Sequence, residues 1–185
     1  VYEVAAGQAP GASPFLAVGP FEATNSLSMP SAVTAFHLGR TAAAEWCLRD
    51  VGAQLEALQK FLSAPYPFST LMVLYVEDPP TERQAYAGIV VLPARALCGE
   101  ELIEPTWQMR DDMCRLLAEQ WFGVALKPKH TRDLWLVKGA AVYSAWQWSR
   151  QAYGEAHNRW AVLEASRYRT LRSSGPARHL PLTLA

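Results

Sequence analysis

The sequence predicts an α+β fold, a small sheet followed by a mostly helical bundle, and three patterns carry that prediction. Thr70–Val76 (TLMVLYV) and residues 87–92 (AGIVVL) are short apolar runs stopped by Asp78-Pro79-Pro80 and by Pro93, the mark of strands. From Thr41 to Leu62, the residues Leu48, Val51, Leu55, Leu58 and Leu62 recur at three- and four-residue spacing and line one helix face. Everything after Pro105 repeats the helical spacing, so strands come first and helices last.

Taken in order, residues 1–14 are rich in Gly, Pro and Ala and are expected to be loop. Residues 15–22 (FLAVGPFE) are expected to be a strand with Gly19-Pro20 at a bulge or edge, followed by a loop through Asn25-Ser26, Ser28 and Met29-Pro30-Ser31. The first helix ends at Ser63-Ala64-Pro65, because Pro65 disfavours helical dihedrals in its predecessor. Neither apolar strand alternates cleanly with polar residues, so both faces of the sheet should be covered. Met109, Met113, Leu116, Leu117 and Trp121 define the next helix, closed by Gly123. Residues 138–152 form another, with Ala140, Ala141, Ser144 and Ala145 small enough for close packing and Gly154 as its C-cap. A last helix covers residues 155–171, with Trp160, Leu163 and Tyr168 inward, before an irregular tail at 173–185. Trp135, Trp146, Trp148 and Trp160 are expected in the core.

Half of the 185 residues are hydrophobic and 18% are charged, which excludes a disordered chain. No apolar run approaches the roughly 18 residues of a membrane span, and no signal-peptide pattern is present. The first residue is Val1 rather than Met, as expected for a segment of a longer protein. The net charge of zero hides an asymmetry: residues 1–120 hold 7 basic and 14 acidic side chains, residues 121–185 hold 10 and 3. Such a dipole steers an acidic partner or nucleic acid toward the C-terminal half. Three cysteines, Cys47, Cys98 and Cys114, form no C-x-x-C pair, which favours a reducing compartment; Cys47 and Cys114, on helical patterns, are expected to serve as small hydrophobes rather than nucleophiles. His37, His130, His157 and His179 are scattered without ligand spacing, and the basic loop Lys127, Lys129, His130, Arg132 has no glycine-rich phosphate cradle.

One constellation stands out. Leu117-Ala118-Glu119-Gln120-Trp121-Phe122-Gly123 is followed by Asp133-Leu134-Trp135-Leu136-Val137-Lys138-Gly139. These words resemble the gluzincin aminopeptidases, the family of aminopeptidase N, whose zinc helix reads HELAHQWFG and whose next helix supplies a third ligand from a WLNEG segment. The resemblance implies a zincin (thermolysin/aminopeptidase N)-like catalytic-domain fold. It places the two ligand histidines at Arg115 and Glu119, the general base at Leu116 and the third ligand at Lys138, with the family's separation kept. A guanidinium cannot ligate zinc, an ammonium does so only after losing its proton, and leucine takes no proton from water. The family's GxMEN segment has no match at residues 82–86 (ERQAY). No metal, no cofactor and no catalytic residue is therefore expected.

Further words resemble a non-catalytic branch of that fold, the TBP-associated factor two family of TFIID subunits. They are Leu16-Ala17-Val18-Gly19-Pro20-Phe21-Glu22, Phe36-His37, Pro65-Tyr66-Pro67-Phe68-Ser69 with Val76-Glu77-Asp78, Tyr86-Ala87 and the lysine-bearing Trp135-Leu136-Val137-Lys138-Gly139. Residues 95–104, with Glu100-Glu101, have no counterpart. The resemblance implies a nuclear scaffold for RNA polymerase II preinitiation complex assembly that contacts other TFIID subunits, promoter DNA and chromatin, and no membrane. Lys127, Lys129 and Arg132 are the candidate contacts for an acidic partner or DNA. It also implies that residues 1–22 end a preceding β domain, that 23–172 form the inactive aminopeptidase-like domain, and that 173–185 lead toward helical repeats. Two other readings stand beside it: a pseudo-peptidase capturing peptides by strand addition at an edge strand 87–92, and an active metallo-aminopeptidase. Facing cations across the vacated site, Glu119 is expected to lie between Arg115 and Lys138 and to accept a hydrogen bond from at least one of them.

Overall fold

A computed structural model describes residues 17–26, 32–79, 83–97 and 107–173, by backbone alone at 107–108 and 156–173. The chain forms two compact units, Val1–Trp148 and Ser149–Ala185.

The first unit holds a five-stranded mixed sheet of order β1-β2-β3-β5-β4. Its strands are β1 (Glu22–Ser26), β2 (Ala32–His37), β3 (Thr70–Val76), β4 (Gln84–Tyr86) and β5 (Ile89–Pro93). β1 runs antiparallel to β2, β2–β3 and β3–β5 are parallel, and β4 returns antiparallel on β5. Val73, Leu74 and Tyr75 are consecutive and all buried, as is the whole of β5, so both sheet faces are covered as the missing alternation predicts. Phe36, Leu74, Ile89 and Val91 form one apolar cluster, with Ala17 and Phe21 packed against it.

Helix α1 (Thr41–Leu62) has the predicted bounds and buries Leu48, Val51, Leu55 and Leu58, each contributing about 1.5–3 kcal/mol by leaving water. It stops at Ser63, whose φ of 50° turns the chain left-handed and lets its N–H reach the Gln59 and Lys60 carbonyls. Helix α2 is Trp107–Glu119, and helix α3 is Leu134–Ser173 with Gly154 at φ 79°, ψ 178° breaking the helical dihedrals. The expected stop at Gly154 is thus present, but α3 begins four residues earlier than residue 138. In the second unit, Arg150 and Glu155 form an ion pair.

Four expectations are corrected. Residues 17–21 are not a strand; the strand starts at Glu22 and continues through Asn25-Ser26, where a loop was expected, because it pairs with β2 in register from Glu22↔His37 to Ser26↔Val33. β2 was not foreseen as a strand; its backbone is claimed on both sides, by β1 and by β3. Residues 87–92 do not make an edge strand: Ala87-Gly88 are the turn of a hairpin, and β5 lies between β3 and β4. Gly88, at φ 71°, tolerates no side chain, since a Cβ would sit 2.9 Å from the Thr70 carbonyl oxygen. Finally, Trp135 is 72% exposed and Trp146 also faces solvent, whereas Trp148 is buried. Phe15, Leu16, Ser28, Met29-Pro30-Ser31, Cys98, residues 98–104, the side chains of Trp160, Leu163 and Tyr168, His157, His179 and the tail beyond Ser173 lie outside the described residues or side chains.

Candidate functional site

The site sits where α2 ends and α3 begins. Four residues apart on α2, Arg115 and Glu119 are neighbours on its surface. Leu116 and Leu117 between them are buried, which fixes the helix rotation. After Glu119 the chain turns: Gly123, at φ 108°, donates its N–H to the Leu126 carbonyl, and Leu126 returns its own N–H to Trp121. This turn and the short 3-10 helix at Thr131–Asp133 deliver the first turns of α3 beside the end of α2.

Lys138 Nζ then donates a hydrogen bond to Glu119 Oε2 at 2.9 Å. Glu119 is buried, while the Lys138 side chain is 57% exposed, so the bridge reaches from interior to surface. Arg115 does not join it. Its Nε is shut away from solvent without a hydrogen-bond partner, and no Arg115–Glu119 ion pair is present among the described residues. Of the expected pair of cations, only the lysine is engaged. Among the described residues no three His, Cys, Asp or Glu side chains converge as a metal-binding group. Lys127, Lys129 and Arg132 are exposed on the connecting loop, with Arg132 Nε 3.9 Å from Asp133.

The structure also shows what the words flanking these positions do. Gln120 is fully buried and uses both ends of its amide: Oε1 accepts the Gly88 N–H at 3.0 Å and the Tyr66 hydroxyl at 3.4 Å, and Nε2 donates to the Ile89 carbonyl at 3.2 Å. Trp121 Nε1 donates to the Pro65 carbonyl at 2.9 Å, and its ring meets Tyr66 edge-on at 5.5 Å. Burial pushes the Tyr66 phenol well above its ordinary value, keeping it a neutral donor. These two residues fasten the end of α2 to the β4–β5 hairpin and to the segment after α1.

A second polar tie joins α2 to α1. Arg110 forms an ion pair with Asp50, its Nε 3.0 Å from Oδ2, and its guanidinium lies between the rings of Trp46 and Trp148 at 5.7 and 5.6 Å. Gln54, also fully buried, donates to both Asp50 and the Arg110 carbonyl. A cavity of about 150 Å³ opens beside this tie, walled by Trp46, Cys47, Met109, Arg110 and Met113. Sequence reasoning missed Gln120, Asp50 and Arg110 as anchors; polar residues set in otherwise apolar helical faces were the only signal. Cys114 is buried, and burial together with Asp111 and Asp50 pushes its thiol well up, so it stays protonated and inert. His37 is buried too: its Nδ1 accepts the Arg40 N–H at 3.1 Å, which leaves Nε2 to donate to Thr24 Oγ1 at 2.8 Å.

Known proteins can now be set beside this geometry. No family model matches the chain. TFIID subunit 2 of Drosophila melanogaster is 33% identical over 154 residues, 82% of this chain and 12% of the relative. The Caenorhabditis elegans protein of the same name is 25% identical over 111 residues, 60% of this chain and 10% of the relative. The Gallus gallus one is 27% identical over 99 residues, 54% of this chain and 8% of its own length. The chain thus spans about an eighth or less of these relatives. Over the aligned stretch, this chain is a homologue of the TFIID subunit 2 family.

Proposed function

We propose that this chain is an inactive, aminopeptidase-like segment of a nuclear TFIID subunit, serving in RNA polymerase II preinitiation complex assembly as a scaffold for other subunits. Its likeness to TFIID subunit 2 from fly, worm and chicken supports the assembly role. Promoter DNA and chromatin are further partners of such a scaffold, with Lys127, Lys129 and Arg132 as the contacts. In this reading residues 23–172 are the aminopeptidase-like part, 1–22 end a preceding β domain, and 173–185 lead onward.

The observation that carries the non-catalytic part is the Glu119–Lys138 bridge. The residues present do not fit zinc: of the four positions, only Glu119 offers a donor that is basic at neutral pH, and the ammonium of Lys138 already sits on it at 2.9 Å. Leu116 has no atom that could take a proton. What remains of the constellation holds two helices together.

Isolation of the tagged full-length polypeptide from nuclear extract tests the assembly role. Co-purifying TFIID subunits are expected, and their absence under conditions that preserve TFIID would refute it. Elemental analysis without added metal should give zinc far below one per chain. Turnover of aminoacyl chromogenic substrates that survives repurification and is lost in Glu119→Ala would overturn the non-catalytic reading.

A further inference from the structure

Helix α3 of the first unit is apolar on two opposite sides. Ala141, Ser144, Ala145 and Trp148 are buried, at the i, i+3, i+4, i+7 spacing of an inward face. Trp135, Val142, Tyr143 and Trp146, at i, i+7, i+8, i+11, share the outward side and are 72%, 52%, 51% and 37% exposed. The Tyr143 ring continues this row on both sides, 6.2 Å from Trp146 and 6.2 Å from Phe61 at the end of α1. A second apolar side on a helix is normally covered, and the adjoining rings of Phe61, Tyr143 and Trp146 mark an interaction surface.

We infer that this outward side of α3 is a docking surface for an acidic amphipathic helix of a partner protein. Charge selects the occupant. From Glu119 to Trp148 the chain carries four basic residues, Lys127, Lys129, Arg132 and Lys138, and two acidic ones, Glu119 (bridged to Lys138) and Asp133, a balance of +2. The cations lie at the N-terminal end of the aromatic row and along its border, so the centre is apolar and the rim positive. That is the anatomy of a protein–protein contact, in which ring anchors supply the affinity and rim charges the steering. Duplex DNA needs cations where its phosphates fall, and here that ground is held by Val142, Tyr143 and Trp146. A second copy meeting the same face across a twofold axis would set +2 against +2. An acidic helix with apolar residues at i, i+3, i+4 and i+7 matches both features. The inference rests on this face and holds whether or not the chain works within TFIID.

The test titrates the 185-residue chain with a fluorescent synthetic helix of roughly five turns, Leu on one face and Glu on the other. Saturable binding in the micromolar range is expected, weaker by about tenfold or more in Trp135→Ser and in Tyr143→Ser. Lys129→Glu/Arg132→Glu should weaken it by several-fold and remove most of its salt dependence. Far-UV circular dichroism and melting curves establish that each variant is folded; because all four side chains are exposed, the charge-reversal variant serves if an aromatic one is not. Absent binding, equal binding of the helix with Lys in place of Glu, or indifference to both sets of substitutions overturns the proposal. So does sedimentation showing a dimer that Trp135→Ser dissolves, or a DNA duplex that competes for the same aromatic residues. Loss of peptide binding when the chain is extended to its full-length polypeptide would mean that the face is covered from within, and would also overturn it.

Discussion

Glu119 and Gln120 are adjacent in the chain, yet they tie α2 down in different ways. Gln120 is wholly buried, uncharged, and hydrogen-bonded through both amide atoms to the hairpin and to Tyr66. Glu119 is charged and buried, but the lysine it holds is more than half exposed. The first tie leaves unsatisfied buried groups on both sides when it is cut; the second has one partner, the lysine, that water already solvates. Burial of both partners, rather than formal charge, decides what such a contact contributes. Asp50–Arg110 lies between the two, with side chains 10% and 29% exposed.

The largest effect should come from Gln120→Ala. It strands the Gly88 N–H and the Tyr66 hydroxyl, at about 1–3 kcal/mol for each buried group left unpaired. A loss of about 3 kcal/mol by urea denaturation is expected, and a loss within error would mean that water enters and the comparison fails. Next, Asp50→Ala leaves Arg110 between two tryptophans without its carboxylate. About 2 kcal/mol should be lost, below the value for a fully buried pair because Arg110 is partly exposed; Asp50→Asn, keeping shape without charge, separates the two contributions.

Glu119→Gln should cost about 1 kcal/mol, the upper end for exposed bridges, and the loss should shrink in high salt. A cost equal to that of Gln120→Ala would erase the distinction between the two neighbours. The smallest effect is expected from His37. Burial lowers its pKa below the ordinary value of 6.5, partly opposed by Glu22, so the unfolded chain binds the extra proton first. Its contribution is therefore complete above about 6.5 and is lost as pH falls from there through the lowered folded value. Melting curves between about pH 7 and 5 should fall less steeply for His37→Gln than for the parent chain; parallel curves would refute the assignment.

Much of this architecture was legible because single-element patterns encode it. The leucine spacing of α1, the apolar run of β3 and the glycine at position 154 each report a local period or a local dihedral, and each was read correctly. β1 and β2 were not legible. Ala32–His37 holds a threonine and a histidine and has no long apolar run, and it becomes a strand because β1 and β3 claim its backbone from both sides. At the candidate site, the QWFG word and its distance from WLVKG drew attention to α2 and α3, which the structure joins through Glu119 and Lys138. Which cation reaches Glu119 was decided by the turn through Gly123 and by the start of α3 at Leu134.

The outward face of α3 shows the same division most sharply. Sequence by itself determined that Val142, Tyr143 and Trp146 share one side of a helix, since the period of 3.6 residues follows from backbone geometry; Trp135 joins that side only because α3 starts at Leu134. It equally determined that Ala141, Ser144, Ala145 and Trp148 share another. A helix apolar on both sides gives no internal sign of which side is buried. Only the tertiary structure settled that, because the small side chains of Ala141, Ser144 and Ala145 allow the closest approach of neighbouring elements, with Trp148 beside them, while Tyr143 and Trp146 are left outside. The kinship with TFIID subunit 2 was likewise written in the order and spacing of short words, whereas the use of Gln120 as a buried anchor emerged only where the hairpin, α2 and Tyr66 meet.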